Sequence, residues 1–200
     1  MYGRNLTHFL LYFAGLSSAR TQTTPREREL LARLAPGQRT IVEIGVFEGA
    51  SSYLLRRSLD ADANLFCIDP FPPGRLGFSM QLWIARHEMG RCGSGELSLI
   101  RECSYQVVRR WERPIDLLFY DAEIQYEAVR RDFGDWSRFL AEGGRFLLHT
   151  SHSTEVKPVP AEAGTVRFVA DLPQLFPEFE VVDQIDSITI IGRRKKRRTT

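Results

Sequence analysis

IVEIGVFEGASSYLL, residues 41–55, passes from a short apolar run through an acid and two glycines four apart into small hydroxyls and leucines. A β-like run that ends in glycine and opens into a helix-like pattern is a strand–turn–helix unit, the repeating step of an α/β sheet. Glycines in such a turn let a ligand come close to the backbone. The same alternation continues on either side. Apolar runs stand at TIVEIG (40–45), NLFCID (64–69), LSLIR (97–101), IDLLFYD (115–121) and GRFLLHT (144–150). Each has the length of a strand buried on both faces.

Between these runs lie amphipathic segments: SSYLLRRSL, MQLWIARHEM, SYQVVRRW and YEAVRRDFGDWSRFLAEG. The last is expected to end as a helix at Gly143-Gly144. Strand–helix alternation with short links implies a parallel sheet covered by helices on both faces. The end of the chain differs. After helix-like GTVRFVADLPQLF (164–176) come FEVVDQI (179–185) and SITIIGR (187–193), separated by a tight break at Asp186. Consecutive strands without a crossover predict an antiparallel hairpin at the sheet edge. The expected fold is therefore α/β: a seven-stranded, mostly parallel sheet with an antiparallel C-terminal hairpin.

Two hundred residues, 43% hydrophobic and 26% charged, suit one globular domain. The expected division is an N-terminal helical extension (1–36), a ligand-binding domain (37–193) and a basic disordered tail (194–200). Three scattered cysteines without CxxC spacing argue against a disulfide framework or zinc site and fit a cytoplasmic setting. No run is long enough to span a bilayer, and LTHFLLYFAGL (6–16) is too short and carries His8. It reads as an amphipathic helix packed on the domain or on a partner subunit of a homo-oligomer. RRKKRR (193–198) holds six of the 27 basic groups, leaving 21 against 25 acids elsewhere. A mildly acidic body with a short basic end is not a nucleic-acid-binding surface.

The first loop is Glu43-Ile-Gly45-Val-Phe47-Glu-Gly49-Ala-Ser51-Ser52. A dinucleotide loop needs glycine where Phe47 stands, and a P-loop needs a lysine that is absent here. A ligand without phosphates fits better, and S-adenosylmethionine has the matching parts. Its carboxylate suits the N–H groups and hydroxyls of Ser51 and Ser52 at a helix start. Its ammonium suits Glu43, and its ribose diol suits Asp69 at the end of the second strand. The plain alternative is a pair of glycines that only permit a tight turn.

E-x-G-x-x-x-G-x-S followed by an acid after strand two resembles motifs I and II of the class I S-adenosylmethionine-dependent methyltransferases, which share a Rossmann-like sheet. The segment 115–150, with its Tyr126-to-Trp136 string Y-E-x-V-x-x-D-F-x-x-W, resembles a narrower set. That set is the small O-methyltransferases grouped with macrolide-sugar and cephalosporin hydroxylase-type proteins. The resemblance covers about Thr23 to Arg193 and implies that Glu43, Gly45, Phe47, Gly49, Ser51 and Asp69 hold the donor. It also implies that Cys103 and Ser104 border the adenine, with cysteine in place of the usual acid.

The related pattern places D-G-D-H after strand four and His-Asp after strand five, where many relatives hold Mg²⁺. This chain has Asp121-Ala-Glu123-Ile124 and His149-Thr150. Two carboxylates and a threonine are a thin ligand set for a hard cation, so a divalent ion is not favoured. His149 then becomes the expected general base, with His152 in reserve and Asp121 at the sulfonium or orienting His149. The loop FPPGRLGFSMQLW (71–83) and VKPVPAEAG (156–164) are candidate lids or acceptor walls. The expected activity is O-methylation of a small-molecule hydroxyl, such as a sugar, phenol or polyketide of natural-product biosynthesis. A non-catalytic, donor-binding descendant is the main alternative, and a nucleic-acid methyltransferase a weaker one.

Overall fold

The computed structural model describes residues 2–195. The last residues of the basic tail, 196–200, lie outside the described residues. Five parallel strands form first: β1 (Thr40–Ile44), β2 (Asn64–Ile68), β3 (Glu96–Ile100), β4 (Ile115–Tyr120) and β5 (Leu140–Leu148). The hairpin β6 (Phe179–Ile185) and β7 (Ile188–Arg193) closes the edge. The order is β3-β2-β1-β4-β5-β7-β6, so β7 pairs antiparallel with both β5 and β6. The seven-stranded α/β sheet read from the sequence is therefore the fold observed.

Side-chain alternation in the central strands divides the core into two layers. Ile41, Leu65, Leu117, Phe119 and Leu147 pack on one face with Leu30, Leu31, Leu55, Leu82 and Met89. These come from α2 (Pro25–Leu34), α3 (Ala50–Ser58) and α4 (Met80–Gly90). Val42, Ile44, Leu118, Tyr120, Phe146 and Leu148 pack on the other face with Val107, Val129, Phe133, Trp136, Phe168 and Leu172. Their elements are α5 (Ser104–Val107), α6 (Tyr126–Ser137) and α7 (Gly164–Leu175). Glu43, odd-numbered in β1, thus faces α3 rather than α6.

One expectation needs correcting. The helix beginning at Tyr126 does not run to Gly143-Gly144; it stops at Ser137, and β5 starts at Leu140. Ile115 N–H donates to Phe139 O, and Ile115 pairs with Leu140, which draws the chain into the sheet early. The glycine pair instead serves a register shift inside β5. Gly143 takes φ +78°, and a Cβ on Gly144 would lie 2.7 Å from Ile115 O.

The N-terminal helix α1 (Tyr2–Phe13) is tied to α4, with Tyr12 Oη donating to Glu88 Oε1 at 2.7 Å. Its Leu10, Phe13 and the following Leu16 are exposed. No described helix is long and apolar enough to cross a membrane.

Candidate functional site

The strand order reverses between β1 and β4, and the carboxyl ends of strands at such a point form the crevice of a doubly wound sheet. A cavity of about 620 Å³ lies there. It is lined by Gly45, Phe47 and Ser51 after β1, Asp69 after β2, Cys103 and Ser104 after β3, Asp121 and Glu123 after β4, and Thr150 after β5. Arg20, Thr21 and Gln22, between α1 and α2, form a further wall. The volume falls in the range of small-molecule and cofactor sites.

The β1–α3 turn is built by backbone constraint. Gly45 takes φ +89°, and a Cβ there would sit 2.2 Å from Asp121 O. Gly49, also left-handed, packs so closely on α4 that a Cβ would lie 2.9 Å from Ala85 Cα. Gly49 is not among the residues lining the cavity; it sets how closely α3 and α4 approach. Phe47 adopts φ +54°, a conformation that costs a side-chain-bearing residue about 1–2 kcal/mol. Asp69 offsets that strain, its Oδ2 accepting from Val46 N–H (3.0 Å) and Phe47 N–H (3.2 Å). Oδ1 accepts from Phe71 N–H at 2.8 Å. A carboxylate has about four lone-pair sites, so Asp69 holds the loop and still has acceptor capacity toward the cavity.

Glu43 is fully buried behind this wall. Ser51 Oγ donates to its Oε1 at 2.5 Å, and Ser52 Oγ and the Cys67 thiol both donate to Oε2. Burial pushes its carboxyl up to about 7 although the serine hydroxyls work in the opposite direction. Glu43 therefore reaches the cavity only through Ser51, whose hydroxyl hydrogen is committed to Glu43 and whose oxygen keeps lone pairs for a cationic donor. On the β3 side, Ser104 Oγ donates to Asp132 Oδ2 at 2.6 Å and Cys103 N–H to Gln106 Oε1.

The second half of the site joins residues far apart in the chain. Asp121, with its side chain 29% exposed, lines the cavity, while the His149 side chain is wholly buried beside it. His149 Nδ1 meets Asp121 Oδ1 at 2.5 Å. On the opposite edge of the ring, Nε2 lies 2.5 Å from Lys157 Nζ and 3.4 Å from Glu27 Oε2. Lys157 Nζ also donates to Gln22 O at 2.6 Å. Burial alone would lower the His149 pKa, but Asp121 and Glu27 outweigh it and leave the value raised, with Lys157 acting against them. Burial would likewise raise Glu27, but His149, Ser187 and Thr24 hold its carboxyl down at about 2. His152 is turned away, its Nδ1 paired with Asp186 O. Ile124 lines the cavity and is 55% exposed.

Local sequence pattern does not bring Glu27, Lys157 or the Arg20–Gln22 wall into the site. Glu27 carried a signal: Thr24-Pro-Arg-Glu27 is a capping box, with both reciprocal bonds present in the structure.

Fold and crevice define a Rossmann-like protein with a cavity of small-molecule size at the carboxyl ends of its strands. A family model described as a methyltransferase domain matches residues 42–151, more than half of the chain, and the protein belongs to that family. Solved structures share the fold at low identity. An O-methyltransferase from Bacillus cereus, in complex with S-adenosylhomocysteine, superposes with a TM-score of 0.64 at 17% identity, over 95% of this chain and 91% of that one. TomG from Streptomyces achromogenes, an O-methyltransferase of tomaymycin synthesis crystallised with S-adenosylmethionine, gives 0.60 at 17% identity, over 92% and 95%. The Podospora anserina methyltransferase PaMTH1, bound to S-adenosylhomocysteine, gives 0.66 at 14% identity, over 96% and 88%.

Proposed function

We propose that this protein is a cytoplasmic S-adenosylmethionine-dependent O-methyltransferase acting on a hydroxyl of a small molecule. The observation that carries the proposal is Asp121, a carboxylate that lines the cavity and is gripped from behind by a buried histidine. The donor's amino-acid end fits the start of α3, where Ser51 supplies lone pairs to the ammonium and backbone N–H groups face the carboxylate. Asp69 has acceptor capacity left for the ribose diol, and Cys103 and Ser104 border the base. Bound there, the donor supplies an electrophilic methyl group whose bonding pair leaves with sulfur.

The chain's own residues then have two tasks. Alignment of the acceptor oxygen falls to the cavity walls, including Thr21, Gln22 and Thr150. Removal of the hydroxyl proton falls to Asp121, whose Oδ1 is engaged by His149 and whose Oδ2 has no partner among the described residues. His149, with both ring nitrogens engaged and no exposed surface, acts through Asp121. The enzymes crystallised with donor or product include one of natural-product synthesis, which supports a small-molecule acceptor.

The test is transfer of labelled methyl from S-adenosylmethionine to a panel of phenols, sugars and polyketide alcohols. Wild-type protein should label at least one class, and Asp121→Asn should lower kcat by about 10²–10⁴-fold with donor affinity retained. Donor binding without transfer to any class would favour the non-catalytic alternative, which Ile124 and Thr150 keep in view.

A further inference from the structure

Lys157 lies outside the residues that line the cavity, yet its ammonium is built into the site. It touches His149 Nε2 at 2.5 Å, Gln22 O at 2.6 Å and Glu27 Oε2 at 3.4 Å, and its side chain is only 19% exposed. An ammonium can only donate hydrogen bonds. Nε2 must therefore offer its lone pair, and the single ring hydrogen sits on Nδ1, toward Asp121 Oδ1. A doubly protonated ring would set two donors against each other at 2.5 Å. Asp121 and Glu27 pull the ring toward its charged form, and the ammonium placed against Nε2 opposes them. Glu27, anchored by Ser187 N–H at 2.8 Å, Ser187 Oγ at 2.7 Å and Thr24 N–H at 2.7 Å, supplies the negative charge that keeps the ammonium in place.

We propose that Lys157 is a positioning residue for the reaction at Asp121: by donating to Nε2 it keeps His149 neutral, as the Nδ1–H tautomer that holds Asp121 Oδ1, leaves Oδ2 for the acceptor and does not set an imidazolium against the base. This rests on the proposed role of Asp121, but the tautomer is observable without any turnover. The same lysine ties Gln22, a wall of the cavity, to the segment after β5. Removing it leaves the ring between two carboxylates: Nε2 takes up a proton toward Glu27 Oε2 while Nδ1 keeps its hydrogen on Asp121 Oδ1, so His149 becomes doubly protonated and lowers the basicity of Asp121.

The experiment is ¹⁵N–¹H correlation of histidine-labelled full-length protein, with steady-state kinetics and donor titration on the same samples. Wild type should show neutral His149 protonated on Nδ1. Lys157→Met should show it protonated on both ring nitrogens, with kcat lowered at least about tenfold and donor affinity unchanged. Lys157→Arg, which keeps a cationic donor, should restore the neutral tautomer and most of kcat. The proposal is overturned if wild type carries a hydrogen on Nε2, or if Lys157→Met changes neither the protonation state of His149 nor kcat. Should Asp121→Asn prove fully active, the base assignment fails while the tautomer measurement still judges Lys157.

Discussion

Glu43 is wholly buried among three donors, and burial holds its carboxyl protonated up to about pH 7, against about 4.5 in the unfolded chain. Folding then takes up a proton between those values, so this group leaves stability intact below about pH 4.5 and erodes it as pH rises through 7. Glu43→Gln should raise stability at pH 8 by roughly 2–3 kcal/mol and leave it nearly unchanged at pH 4, as read by thermal melts across that range. A variant equally shifted at both pH values would contradict the buried, protonated carboxyl. Glu27 behaves oppositely. Held at about 2, it contributes stability above the ordinary carboxylate range that is lost as pH falls toward 2. The places of Asp69, Asp121 and His149 were legible because each stands at a strand end, where local pattern fixes position; Glu43, expected against the ammonium, faces α3 instead, with Ser51 between it and the cavity. Glu27 and Lys157 were not, since they meet across 130 residues and neither lies in a strand. Local pattern holds no record of such a contact.

At the scale of elements, the turn after β1 carries the greatest constraint per residue. Gly45 combines a left-handed φ with backbone of the β4 turn at 2.2 Å from where a Cβ would be. Gly45→Ala should destabilise the fold by more than about 1 kcal/mol and weaken donor binding, because either the β1 or the β4 turn must move. Denaturant unfolding and donor titration measure both; unchanged values would mean that the turn yields freely. The glycine pair at 143–144 shows where element reading fails. Two adjacent glycines after an amphipathic run look like a helix stop, and only the pairing of Ile115 with Leu140 shows that the chain is already a strand. A register shift depends on the neighbouring strand, which no window of one segment contains.

Across the whole molecule, the sheet order followed from the alternation of runs because short links leave few right-handed parallel arrangements. The hairpin was legible from two strands without a helix between them. What the sequence did not show is that the segment between α1 and α2 folds back to wall the crevice. Arg20 N–H donates to Glu48 Oε2 at 2.6 Å, and Gln22 O accepts from Lys157, so both ends of that wall are pinned to the ligand side of the sheet. Strand ends, helix start and N-terminal wall thus converge on one cavity, and its occupant defines the protein's chemistry. Calorimetric titration of the full-length protein with S-adenosylmethionine measures this most directly. One-to-one binding that Asp69→Ala weakens by about tenfold or more is the predicted result. No binding, or an affinity that Asp69→Ala leaves unchanged, would contradict it.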